Sequence, residues 1–330
     1  MLQNLNRLAA LATVLAFFVV VLGAWVRLSH AGLGCPDWPG CYGHVTWPIE
    51  THEVHAANEA FPERPVEAHK AWREMLHRYL AGALVLLVLA INLLAWRGGA
   101  ATRHLRGLAI GIAVLIVFQA LLGMWTVTLK LLPWVVLAHL LGGMATFSLL
   151  WWLRLRSGPQ RSVSAGPASR RLRRWLGIAL LVLLAQISLG GWTTANYAAL
   201  ACPDLPRCGG AWWPETDFGE AFKVWREVGV NYEGGVLDQS ARAAIHLSHR
   251  IGALLTLAVL LYTGWLATRV SGLARIGGLL MALVCLQFTL GLLNVAWQLP
   301  LPNAVAHNGT AALLLATLLW ALSASRPRPA

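Results

Sequence analysis

The chain has 330 residues, 57% of them hydrophobic and 12% charged, with a formal net charge of +12. This composition excludes an ordinary soluble domain and points to a polytopic membrane protein. The positive charge does not mark a nucleic-acid binder, because it is distributed by side: all 14 acids lie in two clusters, Asp37 to Glu74 and Asp204 to Asp238.

Apolar runs are read at about 8–28, 77–96, 108–129, 132–153, 175–195, 246–268, 276–298 and 304–324. At ~1.5 Å rise per residue, each spans a bilayer core of ~30 Å. The first run follows Arg7 as a signal peptide would, but no small-x-small cleavage pattern follows it and it has a twin in mid-chain. Gly23, Trp25, Cys35, Pro36, Asp37, Pro39, Cys41 and Gly43 recur 167 residues later as Gly190, Trp192, Cys202, Pro203, Asp204, Pro206, Cys208 and Gly210. Gln119, Gly123 and His139 recur 168 residues later as Gln287, Gly291 and His307.

The expected fold is therefore an all-α membrane protein with eight transmembrane helices, arranged as two tandem four-helix bundles. Its domains are an N-terminal unit over 1–156, a basic linker over 157–174 and a C-terminal unit over 175–330. An even number of spans per unit leaves both copies in one orientation, a parallel pseudo-two-fold repeat. Arg7, Arg97, Arg103, Arg106, Arg154, Arg156, Arg161, Arg170, Arg171, Arg173, Arg174, Arg269, Arg275, Arg326 and Arg328 fall on one side, opposite every acid. The positive-inside rule places that side, with both termini, in the cytoplasm. The two long loops after the first and fifth spans are then external.

Five of the eleven histidines, His77, His139, His246, His249 and His307, lie within or at the lip of predicted helices. The second, fourth, sixth and eighth spans run in one direction and carry their histidines near the start, so His77 and His139 share a depth, as do His249 and His307. Pairs of imidazoles on facing helices suit axial ligation of a haem iron. The alternatives are hydrogen-bonded glue between helices and a proton relay; zinc is disfavoured by the lack of further ligands at that depth.

Glu74 and His77 share a helix face; His246 and His249 occupy the corresponding positions. A carboxylate there accepts a proton or stabilises developing positive charge, or else pairs with Arg73 or Arg78. Arg78 and Arg250 either hold propionates or snorkel to headgroups. Cys35/Cys41 and Cys202/Cys208 form two spaced pairs on an oxidising side, as loop staples or as redox-active dithiols. Cys285 reads as a small core residue, and the tryptophans near helix ends, Trp192 and Trp297 among them, as interfacial belts.

With Glu74-Met75-Leu76-His77-Arg78, His139, His249-Arg250, His307 and the two external Cys-x5-Cys loops, the chain resembles the haem A synthase family over essentially its whole length. The resemblance implies oxidation of the C8 methyl group of haem O to a formyl group, giving haem A for terminal oxidase assembly. It assigns His77 and His139 to the substrate haem, Glu74 to catalysis, and His249 and His307 to a haem B cofactor. Cys35 and Cys41 are discussed in the family as redox participants. The implied setting is the bacterial inner membrane, with haem O synthase, oxidase assembly factors and a second copy of the chain as candidate partners and no nucleic acid. The rival readings are a dihaem b-type electron-transfer protein and a haem transporter or chaperone.

Overall fold

A computed structural model describes residues 1–159 and 166–326. Eight helices are long and apolar enough to cross a membrane: α1 (Leu2–Leu28), α3 (Ala68–Arg97), α4 (Arg106–Thr128), α5 (Pro133–Ser157), α6 (Pro167–Ala195), α8 (Gln239–Thr268), α9 (Ala274–Ala296) and α10 (Leu301–Ala324). Two short helices, α2 (Thr51–Ala60) and α7 (Phe218–Ala221), sit in the long loops. Among the described residues there is no strand, only isolated bridges at Cys41/His44 and Cys208/Ala211. The protein is an all-α, multi-pass membrane protein.

Helices α1, α3, α4 and α5 pack in a closed ring, and α6, α8, α9 and α10 pack in another. Where the rings meet, α1 lies on α10 and α5 on α6, an interchange consistent with a two-fold repeat. Backbone conformations recur at the same offsets. Lys130 and Leu131 turn α4 into α5 with φ of 48° and 61°, and Gln298 and Leu299 turn α9 into α10 with φ of 56° and 62°. A proline then opens each following helix in its first turn, where its missing N–H has no partner to lose. Trp151 Nε1 donates to Ala316 O across the seam at 2.9 Å, within a core shared by both rings.

Several helices begin earlier than the apolar runs do. The first turns of α3 are amphipathic: Ala71 and Met75 pack with Cys35, Cys41, Tyr42 and Ala57 of the loop above them. Likewise α8 starts at Gln239 because Asp238 caps it, accepting from Ala241 N–H at 2.8 Å. Its leading residues Ala241, Ala244 and Ile245 then bury against Trp192 and Ala221. Arg170, Arg171, Arg173 and Arg174, assigned to the linker by sequence, form the early turns of α6. The linker positions 160–165, with Arg161, and the C-terminal Arg328 lie outside the described residues.

The long loops of the two halves are tied together. Arg64 pairs with Glu233 at 2.8 Å, and Tyr232 N–H donates to Lys130 O at 3.0 Å. Two expectations need correction. Trp192 is buried, with Nε1 donating to Ala221 O at 2.8 Å, and so is no interfacial anchor. Cys285 faces outward from α9 and is not a core residue.

Candidate functional site

His77 of α3 and His139 of α5 face each other with ring centroids 6.4 Å apart and planes at 81°. The Nδ1 atoms of both are buried without a hydrogen-bond partner. Each residue is nevertheless only half-buried as a whole. Gln119 Nε2 donates to His139 O at 2.9 Å and fixes the turn that carries the ligand candidate.

In the other ring, His249 lies on α8 and His307 on α10. Gln186 Nε2 lies 3.0 Å from His249 Nδ1 and donates to His249 O at 3.0 Å. Gln287 Nε2 lies 3.2 Å from His307 Nε2, while His307 Nδ1 is buried and unpartnered.

A glycine of the neighbouring helix backs every one of these four imidazoles. A Cβ placed on Gly23 would lie 3.0 Å from His77 Cε1, on Gly123 3.3 Å from His139 Cε1, on Gly190 3.1 Å from His249 Cε1, and on Gly291 3.2 Å from His307 Cε1. The rings are thus pressed against helix backbone on one side.

These features fit a metal held between two imidazoles. Two imidazoles bound to one metal at ~2 Å each place their centroids roughly 6 Å apart, near the spacing of His77 and His139. Buried imidazole nitrogens without partners are costly unless something coordinates them. Among the described residues, no three His, Cys, Asp or Glu side chains gather to form a multi-ligand ion site.

Glu74 is buried one turn before His77. Its Oε2 accepts from Cys35 N–H at 3.0 Å and its Oε1 from Arg78 Nη2 at 2.5 Å. Arg78 also donates through Nη1 to the carbonyls of Asp37 (3.0 Å), Pro39 (3.2 Å) and Gly40. Arg250 is committed in the same manner: Nη1 to Arg207 O at 2.8 Å, and Nη2 to Cys202 O at 2.7 Å and Asp204 O at 3.0 Å. Both arginines, expected from sequence at propionates or headgroups, therefore fasten loop carbonyls. Arg73 stands closer to free: its Cζ lies 5.0 Å over the Trp25 ring, and its Nε is buried without a hydrogen-bond partner.

Both loops are closed by disulfides, Cys35–Cys41 and Cys202–Cys208, and the cysteines are buried. Asp37 accepts from Tyr42 and Gly43 N–H, and Asp204 from Gly209 and Gly210 N–H. These amides, that of Gly210 first, hold the Asp204 carboxyl below its usual value. Burial pushes the Tyr42 phenol up to about 12, and its hydroxyl donates to Pro65 O.

Sequence reasoning singled out the histidines and missed what surrounds them. Gln186 carried no signal. Gln119, Gln287 and the four glycines appeared only as markers of the repeat, although their recurrence beside recurring histidines was the clue to their contacts.

The chain is thus an eight-span helical membrane protein with four half-buried histidines in its spans, of which His77 and His139 face each other. Residues 6–319 match the cytochrome oxidase assembly protein family. The chain is 46% identical to the haem A synthase of Shewanella oneidensis, over 99% of this chain and 100% of that protein. It is 30% identical to that of a Caulobacter species, covering 92% and 91%, and 28% identical to that of Nitrosospira multiformis, covering 93% and 89%. The chain belongs to the haem A synthase family.

Proposed function

We propose that the chain oxidises the C8 methyl group of haem O to a formyl group by successive hydroxylations, yielding haem A. The observation that carries this reading is the His77/His139 pair with a buried carboxylate, Glu74, one turn away. That it occurs in a chain similar over its full length to named haem A synthases adds support.

In this reading His77 and His139 hold the substrate haem, with Gln119 setting the register of His139. His249 and His307 hold a haem B cofactor, oriented by Gln186 and Gln287. A haem held between two imidazoles supplies one-electron transfer. Glu74 offers a fixed acceptor beside the substrate: Cys35 N–H and Arg78 orient both its oxygens, so it meets developing positive charge without reorganising. Arg73 is better placed than Arg78 to meet a propionate. The buried cysteines act as staples in the resting enzyme, since a partner thiolate must reach a sulfur to exchange with it.

The charge asymmetry supports an inner-membrane topology with both termini in the cytoplasm and the disulfide loops outside. The purely electron-transferring alternative is disfavoured by the unlike groups, Glu74 and His246, at corresponding places.

The deciding experiment is pigment extraction from protein produced together with a haem O synthase, followed by chromatography and mass analysis. Haem B with haem O and haem A is expected. Haem B alone at both sites would favour the electron-transfer protein.

A further inference from the structure

The two disulfide loops are fastened to their helices by the same construction with one chemical substitution. In the first half, Cys35 N–H meets Glu74 and Arg78 bridges Glu74 to the loop carbonyls. In the second, Cys202 N–H meets His246 Nδ1 at 3.2 Å, Arg250 Nε meets His246 Nε2 at 3.2 Å, and Arg250 bridges to the loop carbonyls. His246 is buried, and both of its ring nitrogens point at these two donors.

We propose that His246 is a positioning residue, a latch that holds the Cys202–Cys208 loop against the helix turn preceding His249. It stands in for the latching half of Glu74's work without the charge. The acceptor count separates the two. A carboxylate has an acceptor on each oxygen and satisfies both donors, whereas a neutral imidazole has one acceptor nitrogen and one N–H, and an imidazolium has none. His246 therefore meets one of the two donors well and the other poorly, so the second loop is held less firmly than a carboxylate would hold it.

The consequence is read at the disulfide itself. Both Cys202 and Cys208 are buried, so a reductant reaches the sulfurs only when the loop lifts. Losing the latch raises the open population, and the rate of reduction rises in proportion. The local contacts of the first loop share none of these groups, so Cys35–Cys41 serves as an internal reference.

The test uses the full-length protein in detergent, treated with a membrane-impermeant phosphine under native conditions. Each newly freed thiol is trapped with a maleimide and located by mass spectrometry. His246→Leu is expected to speed reduction of Cys202–Cys208 by roughly tenfold or more, equivalent to losing one buried hydrogen bond. His246→Glu, which rebuilds the arrangement of the first half, is expected to reduce more slowly than wild type. Neither variant should alter Cys35–Cys41. If His246→Leu fails to accumulate, His246→Ala gives the same readout, since alanine offers neither donor an acceptor. An unchanged rate in His246→Leu or His246→Ala, a faster rate in His246→Glu, or equal acceleration of both disulfides overturns the latch. None of these readings depends on haem oxidation.

Discussion

His30 and Tyr197 stack on one another with ring centroids 5.8 Å apart and planes 18° from parallel, although 167 residues separate them. Each follows the end of a first helix, α1 or α6, in the left-handed region, with φ of 53° and 54°. Each stands at the other's counterpart position under the 167-residue offset of the sequence repeat. Arg27 reinforces the contact: Nη2 donates to Thr194 O at 2.9 Å, and the guanidinium lies 4.1 Å from the Tyr197 ring centre.

Arg27→Ala removes a charged hydrogen bond and a cation–π contact at this seam, a loss of about 2–4 kcal/mol. Tyr197→Phe keeps the ring and loses little. Thermal unfolding in detergent should show a clear drop for the first variant and almost none for the second; equal drops would remove the seam from the account.

The two histidine pairs should lose their haems separately. His249→Ala or His307→Ala is expected to remove about half of the bound haem, and with it the bis-imidazole spectrum of that site. His77→Ala or His139→Ala should spare that spectrum and abolish haem A. Pyridine haemochrome content and reduced-minus-oxidised spectra check both halves of this statement.

Glu74→Gln should retain haem but lower haem A formation by about 10²-fold or more, within the range for a positioned acid–base group. Full activity in this variant would sink the assignment of Glu74 to catalysis. The measurement is the haem A to haem O ratio in cells supplied with haem O.

Alanine at the glycines behind the imidazoles should act in the order of the available space. Gly23→Ala brings a Cβ to 3.0 Å from His77, closer than Gly123→Ala brings one to His139 at 3.3 Å. The neighbouring ring must shift by a few tenths of an ångström, more in the first case. Haem affinity is expected to fall by roughly tenfold for Gly23→Ala and less for Gly123→Ala, as titration of the apoprotein would reveal.

The second loop should also sense acid. The Asp204 carboxyl, held below its usual 3.8 by the Gly210 and Gly209 amides, contributes fully above that value. Its contribution fades as pH falls through the lower folded value. Amide exchange at Gly209 and Gly210, corrected for intrinsic rates, should therefore keep constant protection from neutral pH to about 4 and lose it below. Asp204→Asn should show weak protection throughout.

Much of the fold was legible because the chain states it twice. A single intramembrane histidine is ambiguous, but four recurring with their flanking glycines and glutamines are hard to read as chance. The ends of α3 and α8 were not legible from hydropathy: their leading turns bury Ala71, Met75, Ala241 and Ile245 against loops, not against lipid. The work of Arg78 and Arg250 was hidden for a related reason. It depends on carbonyls at 37, 39, 40, 202, 204 and 207, brought near only by the fold. Cys285 was misread because an apolar neighbourhood in sequence does not tell a helix's inner face from the one turned to lipid.

With four cysteines tied in disulfides, Cys285 is the chain's free thiol, and it projects outward from the middle of α9. A lipophilic nitroxide reagent would therefore label the unmodified protein at one defined point. Dipolar coupling between two such labels would reveal whether copies pair through the α9 face, and relaxation by dissolved oxygen would report how deep in the bilayer that point lies.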